Sequence, residues 1–402
     1  MKNKRRRSQL IATGIALFIS ITFIVTLVAP NAIGSNDTIQ NNVDSSNIDT
    51  LDPFDVTPIP AAENISGDPP HIHSRGLYHI FRPAAPNWFI EQDRYVQPEN
   101  EAETIFRGDC AVIHILLEPG VNYDSPESLS QDFLTDAYFD QEWSLYESWE
   151  RTEERTEGNL AINEFTLTTS ERPGESNAPQ SAPHCPNEYH ARQISWVDSS
   201  FLYTLRLVVT TDDTESLDQL QDLIIPSWVV YPRMTDFLDD ASLRARGSVD
   251  AGYLVMLPTT WFAERTSGPL DTYVGSPPLE DFQITMESRS ESSIVTLEDA
   301  TAWLNDFRQT GVEIMNSETV EQQFADGFLI SYTFETIDGD PFSAVIALLT
   351  SGEGELHIAE LYGPVSDIDL LQDIPEDDIA RDAQTIIRSF TVLAPDSYIY
   401  TP

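Results

Sequence analysis

The chain carries one series of landmarks twice, and this duplication restricts it to two similar folds in tandem rather than one large fold. The first copy opens Leu77-Tyr78-His79-Ile80-Phe81-Arg82-Pro83 and then reaches Trp88-Phe89. The second opens Gly252-Tyr253-Leu254-Val255-Met256-Leu257-Pro258 and reaches Trp261-Phe262. Helix-like stretches begin at Leu129 and Leu297, and strand-like stretches begin at Gly158 and Gly327. The copies close with Ile225-Pro226-Ser227-Trp228 and Ile387-Arg388-Ser389-Phe390. Two domains, 77–231 and 252–395, are therefore expected on either side of a link, 232–250.

Periodicity gives each copy the same order: strands, helix, strands, helix, strand. Leu129, Phe133 and Ala137 recur at helical spacing after Ser125-Pro126, a helix start with proline at the first turn. Leu160, Ile162, Phe165 and Leu167 follow a strand pattern, and Asp338-Gly339 marks a hairpin between two apolar runs. Leu217, Leu220 and Ile224 mark a closing helix, as do Ile379, Ala383, Ile386 and Ile387. Hairpins dominate, so the class is α+β: two mainly antiparallel sheets, each flanked by helices in an α/β/α sandwich.

Once these residues are aligned, each copy resembles the PsbP-like fold, shared by extrinsic photosystem proteins and a nuclear Ran-binding protein. The resemblance lies in the aromatic strand that ends in Pro and Trp (Tyr78 to Trp88, Tyr253 to Trp261). It lies also in the terminal helix that runs into Ser227-Trp228 and Ser389-Phe390. It implies an antiparallel sheet with helices on it, and binding roles more often than catalysis. No family site residue carries over. Tandem copies behind a membrane anchor depart from the photosystem proteins.

The address comes from the N-terminus. Five basic residues, Lys2, Lys4, Arg5, Arg6 and Arg7, mark the first nine positions as a basic segment, and an apolar run from Leu10 to about Pro30 is long enough to span a bilayer. The basic cluster belongs on the cytoplasmic side, so the domains face outward from a single-pass anchor in the cell membrane. The competing reading is secretion after cleavage near Gly34. Residues 31–70 are too polar to build a core and read as a disordered stalk.

The chain has 22 Lys and Arg against 66 Asp and Glu, a net charge of −44. Five of those bases lie within the first seven residues, and no lysine follows Lys4. Such a surface repels nucleic acid. It suits a protein partner with a basic surface, or a salty environment. The loss of lysine excludes Schiff-base chemistry and a P-loop from the exported part.

Nucleophile-elbow, His-Glu-x-x-His, Cys-x-x-Cys and dinucleotide-glycine motifs are all absent from the sequence. Cys110 and Cys185 are the two cysteines, and an oxidising compartment favours a disulfide between them. A zinc site at His184, Cys185 and His190 competes with that bond. His71 and His73 lie two apart in an extended segment and are candidate metal ligands. Asp212-Asp213, Asp239-Asp240, Asp338 with Asp340, and Asp377-Asp378 offer oxygens to calcium, although turn and helix-start roles also account for them. No cofactor is otherwise expected. Trp143, Trp149, Trp196 and Trp303 serve cores or sugar stacking. The reading is an extracytoplasmic binding protein of tandem domains. The alternative is an extracytoplasmic hydrolase or ligand-processing enzyme with an acidic interdomain cleft.

Overall fold

The structure, a computed structural model, describes residues 70–394 apart from 84–87, 98–99, 121–122, 124, 170–184, 199–200, 239, 250, 266–269, 278, 291–293, 309–310, 366–367, 373–374 and 376–377. The expected cytoplasmic segment and anchor, and all of the stalk but Pro70, lie outside the described residues. Among the described residues no helix is long and apolar enough to cross a membrane.

The first copy places β1 (His71–Ile72), β2 (Tyr78–Ile80) and β10 (Val229–Val230) in a small sheet of order β1-β2-β10. Its large sheet holds β3 (Phe89–Val96), β4 (Glu101–Gly108), β5 (Ala111–Pro119), β6 (Ser148–Glu157), β7 (Leu160–Thr168), β8 (Glu188–Val197) and β9 (Phe201–Thr210). Every pairing is antiparallel, and the order is β3-β4-β5-β9-β8-β7-β6. Helices α1 (Pro126–Asp132) and α2 (Asp136–Glu142) lie between β5 and β6, and α3 (Glu215–Ser227) follows β9.

The second copy repeats this wiring. A 3-10 turn (Pro232–Phe237) leads to β11 (Leu243–Ser248), which joins β12 (Tyr253–Pro258) and β20 (Thr391–Val392) in a second small sheet. The large sheet holds β13 (Phe262–Arg265), β14 (Leu270–Val274), β15 (Gln283–Arg289), β16 (Glu313–Glu321), β17 (Ala325–Glu335), β18 (Pro341–Ser351) and β19 (Leu356–Gly363). Its order, β13-β14-β15-β19-β18-β17-β16, matches the first sheet strand for strand. Helix α4 (Leu297–Arg308) replaces α1 and α2, and α5 (Asp378–Arg388) replaces α3. The expected link therefore contributes a strand: β11 pairs with β12 along its whole length.

Period-two alternation decides which side chains meet which helix. In the first copy Leu205, Leu207 and Val209 on β9 join Leu217, Leu220 and Ile224 of α3. Val208 faces the other way, towards Leu129, Phe139 and Phe165 beneath α1 and α2. In the second copy Val345, Ala347 and Leu349 meet α5, while Ala344, Ile346 and Leu348 meet α4. Helices thus cover both faces of each sheet. Trp88 and Trp261, matched in the sequence, are both buried in cores.

The copies share one apolar seam and fall within one compact unit. Leu77, Ile80 and Ile224 of the first copy belong to the same core as Met234, Leu243, Leu254 and Met256. Gly76 sits on this seam at φ +69°, where a Cβ would come 3.1 Å from Met234 Cε and 3.3 Å from Leu254 Cδ1. Next to it, buried Arg75 donates to the Leu243, Leu238 and Asp240 carbonyls at 2.7, 2.8 and 2.7 Å. The Asp240 carbonyl also accepts the Leu243 N–H at 3.2 Å.

Cys110 and Cys185 are disulfide-bonded, with Cα atoms 5.5 Å apart and a sequence separation of 75. Cys110 occupies the turn before β5 at φ +52°, rather than the strand itself. In the loop-closure model a ring of this size limits the unfolded chain by about 4 kcal/mol.

The repeated serine has one structural task in both copies. Ser227 Oγ accepts the Phe81 N–H at 2.8 Å, and Ser389 Oγ accepts the Met256 N–H at 2.8 Å. Each hydroxyl also donates into the last turn of its helix, Ser389 to the Ile386 carbonyl at 2.6 Å. Each serine therefore ties its closing helix to a small-sheet strand. Ser227→Ala or Ser389→Ala strands a buried N–H and should cost about 1–3 kcal/mol, read from urea midpoints. Thr385→Ala, on the exposed side of α5, should cost less than either. Equal costs at all three positions would refute the assigned role.

Candidate functional site

The central strands raise a physical problem. Each is covered on both faces, yet each carries a charge. Arg206 of β9 is 5% exposed, and Glu360 of β19 is 2% exposed. A buried charge needs a partner, and in both copies the residue ending a helix supplies it. Glu142 closes α2 and pairs with Arg206 at 2.6 Å. Arg308 closes α4 and pairs with Glu360 at 2.6 Å. The two copies hold the same kind of ion pair with the signs exchanged.

Around these pairs the copies diverge. In the second copy the Arg308 guanidinium lies 3.9 Å from the centre of the Phe334 ring, with Tyr362 at 5.3 Å and Phe307 at 5.6 Å. Tyr332 also bonds to Glu360. Burial raises the Glu360 pKa, against the pull of Arg308. Cation–π and ionic contacts fill this space from within.

In the first copy the equivalent face opens into a pocket of about 260 Å³. Ile105, Val112, Trp143, Leu145 and Val208 line it, together with Glu103, His114, Glu142 and Arg206. Arg206 donates to Gln193 Oε1 at 2.8 Å and to Tyr138 Oη at 2.8 Å, and meets His114 Nδ1 at 3.1 Å. His114 Nε2 lies 2.9 Å from Glu103 Oε1. Because Arg206 has only protons to offer, Nδ1 accepts, which leaves the imidazole proton on Nε2, the nitrogen beside Glu103. Burial lowers the His114 pKa, opposed by Glu103 and reinforced by Arg206. Burial would raise Glu103, but His114 and Arg94 outweigh it and hold that carboxyl down to about 2. The result is a fixed array of charges and dipoles under apolar walls, the composition of a ligand pocket. Arg107 and Tyr146 complete the lining, and no serine, threonine or cysteine is among these residues.

Two arginine-bearing or acid-bearing hollows lie elsewhere. One, of about 270 Å³, has Asp240 and Asp382 in its wall beside Trp261, Thr260 and Thr385. Burial raises the Asp382 pKa, with Arg381 opposing and Asp240 adding to the rise. The other, of about 440 Å³, lies between the copies and is lined by His71, Arg82 and Arg246 with no carboxylate in its wall. An acidic cleft was expected between the copies, and this one is basic.

His71 and His73 do face one group, Asp93. Their Nε2 atoms lie 3.4 Å from Asp93 Oδ2 and Oδ1, and the Ser74 N–H donates to the same carboxylate at 3.0 Å. His73 has no lone pair left for a metal: Nδ1 accepts the Arg75 N–H at 3.2 Å, and Nε2 donates to the Arg94 carbonyl at 3.0 Å. Burial lowers its pKa to about 4, so it is neutral at pH 7. The disulfide occupies the sulfur that a zinc site with His190 would need, and His184 lies outside the described residues. Asp213 bonds Ser216 Oγ at the start of α3, Asp240 bonds Ser242, and Asp378 pairs with Arg381. Asp338 and Asp340 belong to the β17–β18 hairpin. Asp239 and Asp377 are not described. Trp149 packs on Phe139 and Phe165, Trp196 stacks on Tyr203, and Trp303 stacks on Phe307. The sequence reading missed His114 and Arg206, whose only signal is polarity inside two strongly apolar runs.

No protein-family model matches the chain, and no curated protein matches it. Among solved structures, the chain is similar to the solution structure of cyanobacterial PsbP (CyanoP) from Synechocystis sp. PCC 6803. That match has 19% identity over 39% of this chain and 95% of that one, with a TM-score of 0.28. It is also similar to the apo structure of the T6SS immunity protein TplEi from Pseudomonas aeruginosa. There the identity is 12% over 80% of this chain and 96% of that one, with a TM-score of 0.22. Overlaps this low carry no functional assignment.

One titration reports on the pocket face. Glu118 shares the β5 face with His114. Burial raises its pKa to about 7, with Glu101 and Glu142 adding and Arg206 opposing. Its folded value therefore exceeds its unfolded value. The associated stability is full below pH 4.5 and is lost as pH rises through about 7. Glu118→Gln cannot ionise. Its stability relative to the parent should rise between pH 4.5 and about 7 and then level off, measured by urea unfolding at several pH values. A pH-independent difference would show that Glu118 titrates normally.

Proposed function

We propose that the protein is a membrane-anchored, extracytoplasmic binding protein of two tandem PsbP-like domains, in which the first copy supplies the recognition pocket. The carrying observation is the divergence of the two copies at one position. The second copy fills the space beside its buried ion pair with Arg308 and aromatic rings. The first leaves about 260 Å³ there, walled by apolar side chains over His114, Arg206 and Glu103. That volume suits one apolar side chain or a small ligand with a polar end. Leu145, on the pocket wall and 56% exposed, offers contact area to a protein partner. In this reading residues 10–30 anchor the chain with its N-terminus in the cytoplasm, and the acidic surface favours a partner with basic groups. The reading needs no bound metal.

Carboxylate-directed cross-linking in native membranes, followed by mass spectrometry, tests it. A near-stoichiometric partner should be captured by the parent chain. Capture should fall at least tenfold for Leu145→Asp, a change at an exposed position that leaves the core intact. Undiminished capture by that variant would place recognition elsewhere.

Asp382 and Asp240 support a second reading, a hydrolase. A carboxyl raised by burial beside another carboxylate is the kind of pair that divides acid and base roles. In that case the exported part turns over a glycoside or ester substrate, and Asp382→Asn abolishes turnover without loss of folding. Activity that survives Asp382→Asn removes this reading.

A further inference from the structure

We propose that the first-copy pocket takes a small zwitterion with an apolar body, an apolar amino acid or a dipeptide of such residues. The proposal rests on the reading of that pocket as the recognition site and adds the chemical class of its ligand. Strand register builds the floor of the pocket. Val112 of β5 lies opposite Arg107 of β4 and opposite Val208 of β9, which makes one row across three strands. His114, two residues on and therefore on the same face, lies opposite Ile105 and Arg206 and makes the next row. Glu142, the last residue of α2, and Trp143, Leu145 and Tyr146 after it supply the facing wall. The apolar members leave about 260 Å³, room for one aliphatic or aromatic side chain.

The first argument is sign. The lining holds two carboxylates, Glu103 and Glu142, and two guanidinium groups, Arg107 and Arg206. In the whole chain 66 acids stand against 22 bases, so this even balance sets the pocket apart from its surroundings. A simple anion gains from the arginines and loses to the glutamates, and a simple amine does the reverse. A zwitterion carries both signs, so each of its ends has a partner of opposite charge in the wall.

The second argument is which polar atoms the fold has already used. Arg206 is committed to Gln193, His114, Tyr138 and Glu142. Glu103 is committed to Gln92, Arg94 and His114. These two hold the sheet together and have little left for a ligand. The other pair is only half used. Arg107 holds Glu91 through Nε at 2.8 Å and Nη2 at 2.5 Å, and that contact leaves out both protons of Nη1. Glu142 meets Arg206 through Oε2, and among the described residues its Oε1 has no hydrogen bond or ion pair. The side chains of Arg107 and Glu142 are 19% and 22% exposed, so solutes reach both. The unspent atoms thus have opposite signs and come from opposite walls, one from the sheet and one from the helix end. Nη1 can take a carboxylate while Glu91 keeps its place, and Oε1 can take an ammonium while Arg206 keeps its place.

Titration calorimetry of the full-length chain with leucine, phenylalanine and leucyl-leucine tests the proposal. Two blocked probes, N-acetyl-leucine and leucinamide, each lack one charge. At least one of the three zwitterions should bind saturably, one per chain, and each blocked probe should bind at least tenfold more weakly than leucine or the dipeptide. Tighter binding of leucyl-leucine than of leucine assigns the site to short peptides, and the opposite order assigns it to free amino acids. Arg107→Gln should weaken the zwitterion at least tenfold and leave leucinamide nearly unchanged, a pattern that a merely structural arginine does not produce. The proposal is overturned if no zwitterion binds, if the blocked probes bind as well as leucine, or if Arg107→Gln of unchanged melting temperature binds like the parent. Any of these results beside partner capture that still depends on Leu145 removes the ligand class alone. The same result beside capture that ignores Leu145→Asp removes the pocket reading as well.

Discussion

A charge on a strand with no wet face constrains both halves of this molecule. β9 and β19 lie fourth in their sheets, covered by helices on both sides, and desolvation there penalises any ionised group by several kcal/mol. Only a partner of opposite sign held in the same dry layer offsets that cost. The partner comes from the last residue of the helix that crosses the strand, so the ion pair fixes where that helix ends. Breaking one member of such a pair costs about 3–5 kcal/mol, far more than a surface salt bridge contributes. Exchanging both signs preserves the pair, and the two copies differ in that way: Arg206 with Glu142, Glu360 with Arg308.

Once the pair is satisfied, the surrounding volume is available for other uses. In the second copy aromatic rings close around Arg308, and the site becomes core. In the first, His114 and Glu103 extend the polar array and leave a pocket. Duplication relaxes the demand that both copies keep the same local solution. The seam between the copies has a similar logic. Arg75 and Gly76 are the last residues before the first repeated landmark, yet they join the first copy to β11. The join combines an apolar seam with hydrogen bonds from Arg75.

The tandem repeat, the helix positions and the hairpins were legible because they depend on local patterns: period two, helical spacing, Pro and Gly. The matched tryptophans and the Ser-aromatic endings were legible too, since each performs the same task twice. The disulfide followed from compartment and count. The strand in the link was missed because Leu243-Arg244-Ala245-Arg246-Gly247-Ser248 has too little apolar content to stand out, and β12 supplies the reason it is extended. The site at His114 and Arg206 was missed for a different reason. Its residues lie 92 positions apart, and only the β5–β9 register places them side by side. His71 and His73 illustrate the converse: their spacing suggested a metal, while Asp93 and the backbone use their nitrogens structurally.

The acidic composition also looks different once the arginines are located. With three acids to each base, ion pairing is limited by arginine, so the position of each arginine says more than the position of any acid. Most are spent fastening strands to helices or bridging neighbouring strands, as when Arg192 of β8 holds Glu164 and Asp218 together. Long-range repulsion from the remaining carboxylates is screened within about 8 Å at physiological ionic strength, while contacts inside a cleft are screened far less. An acidic exterior therefore does not forbid a basic recess.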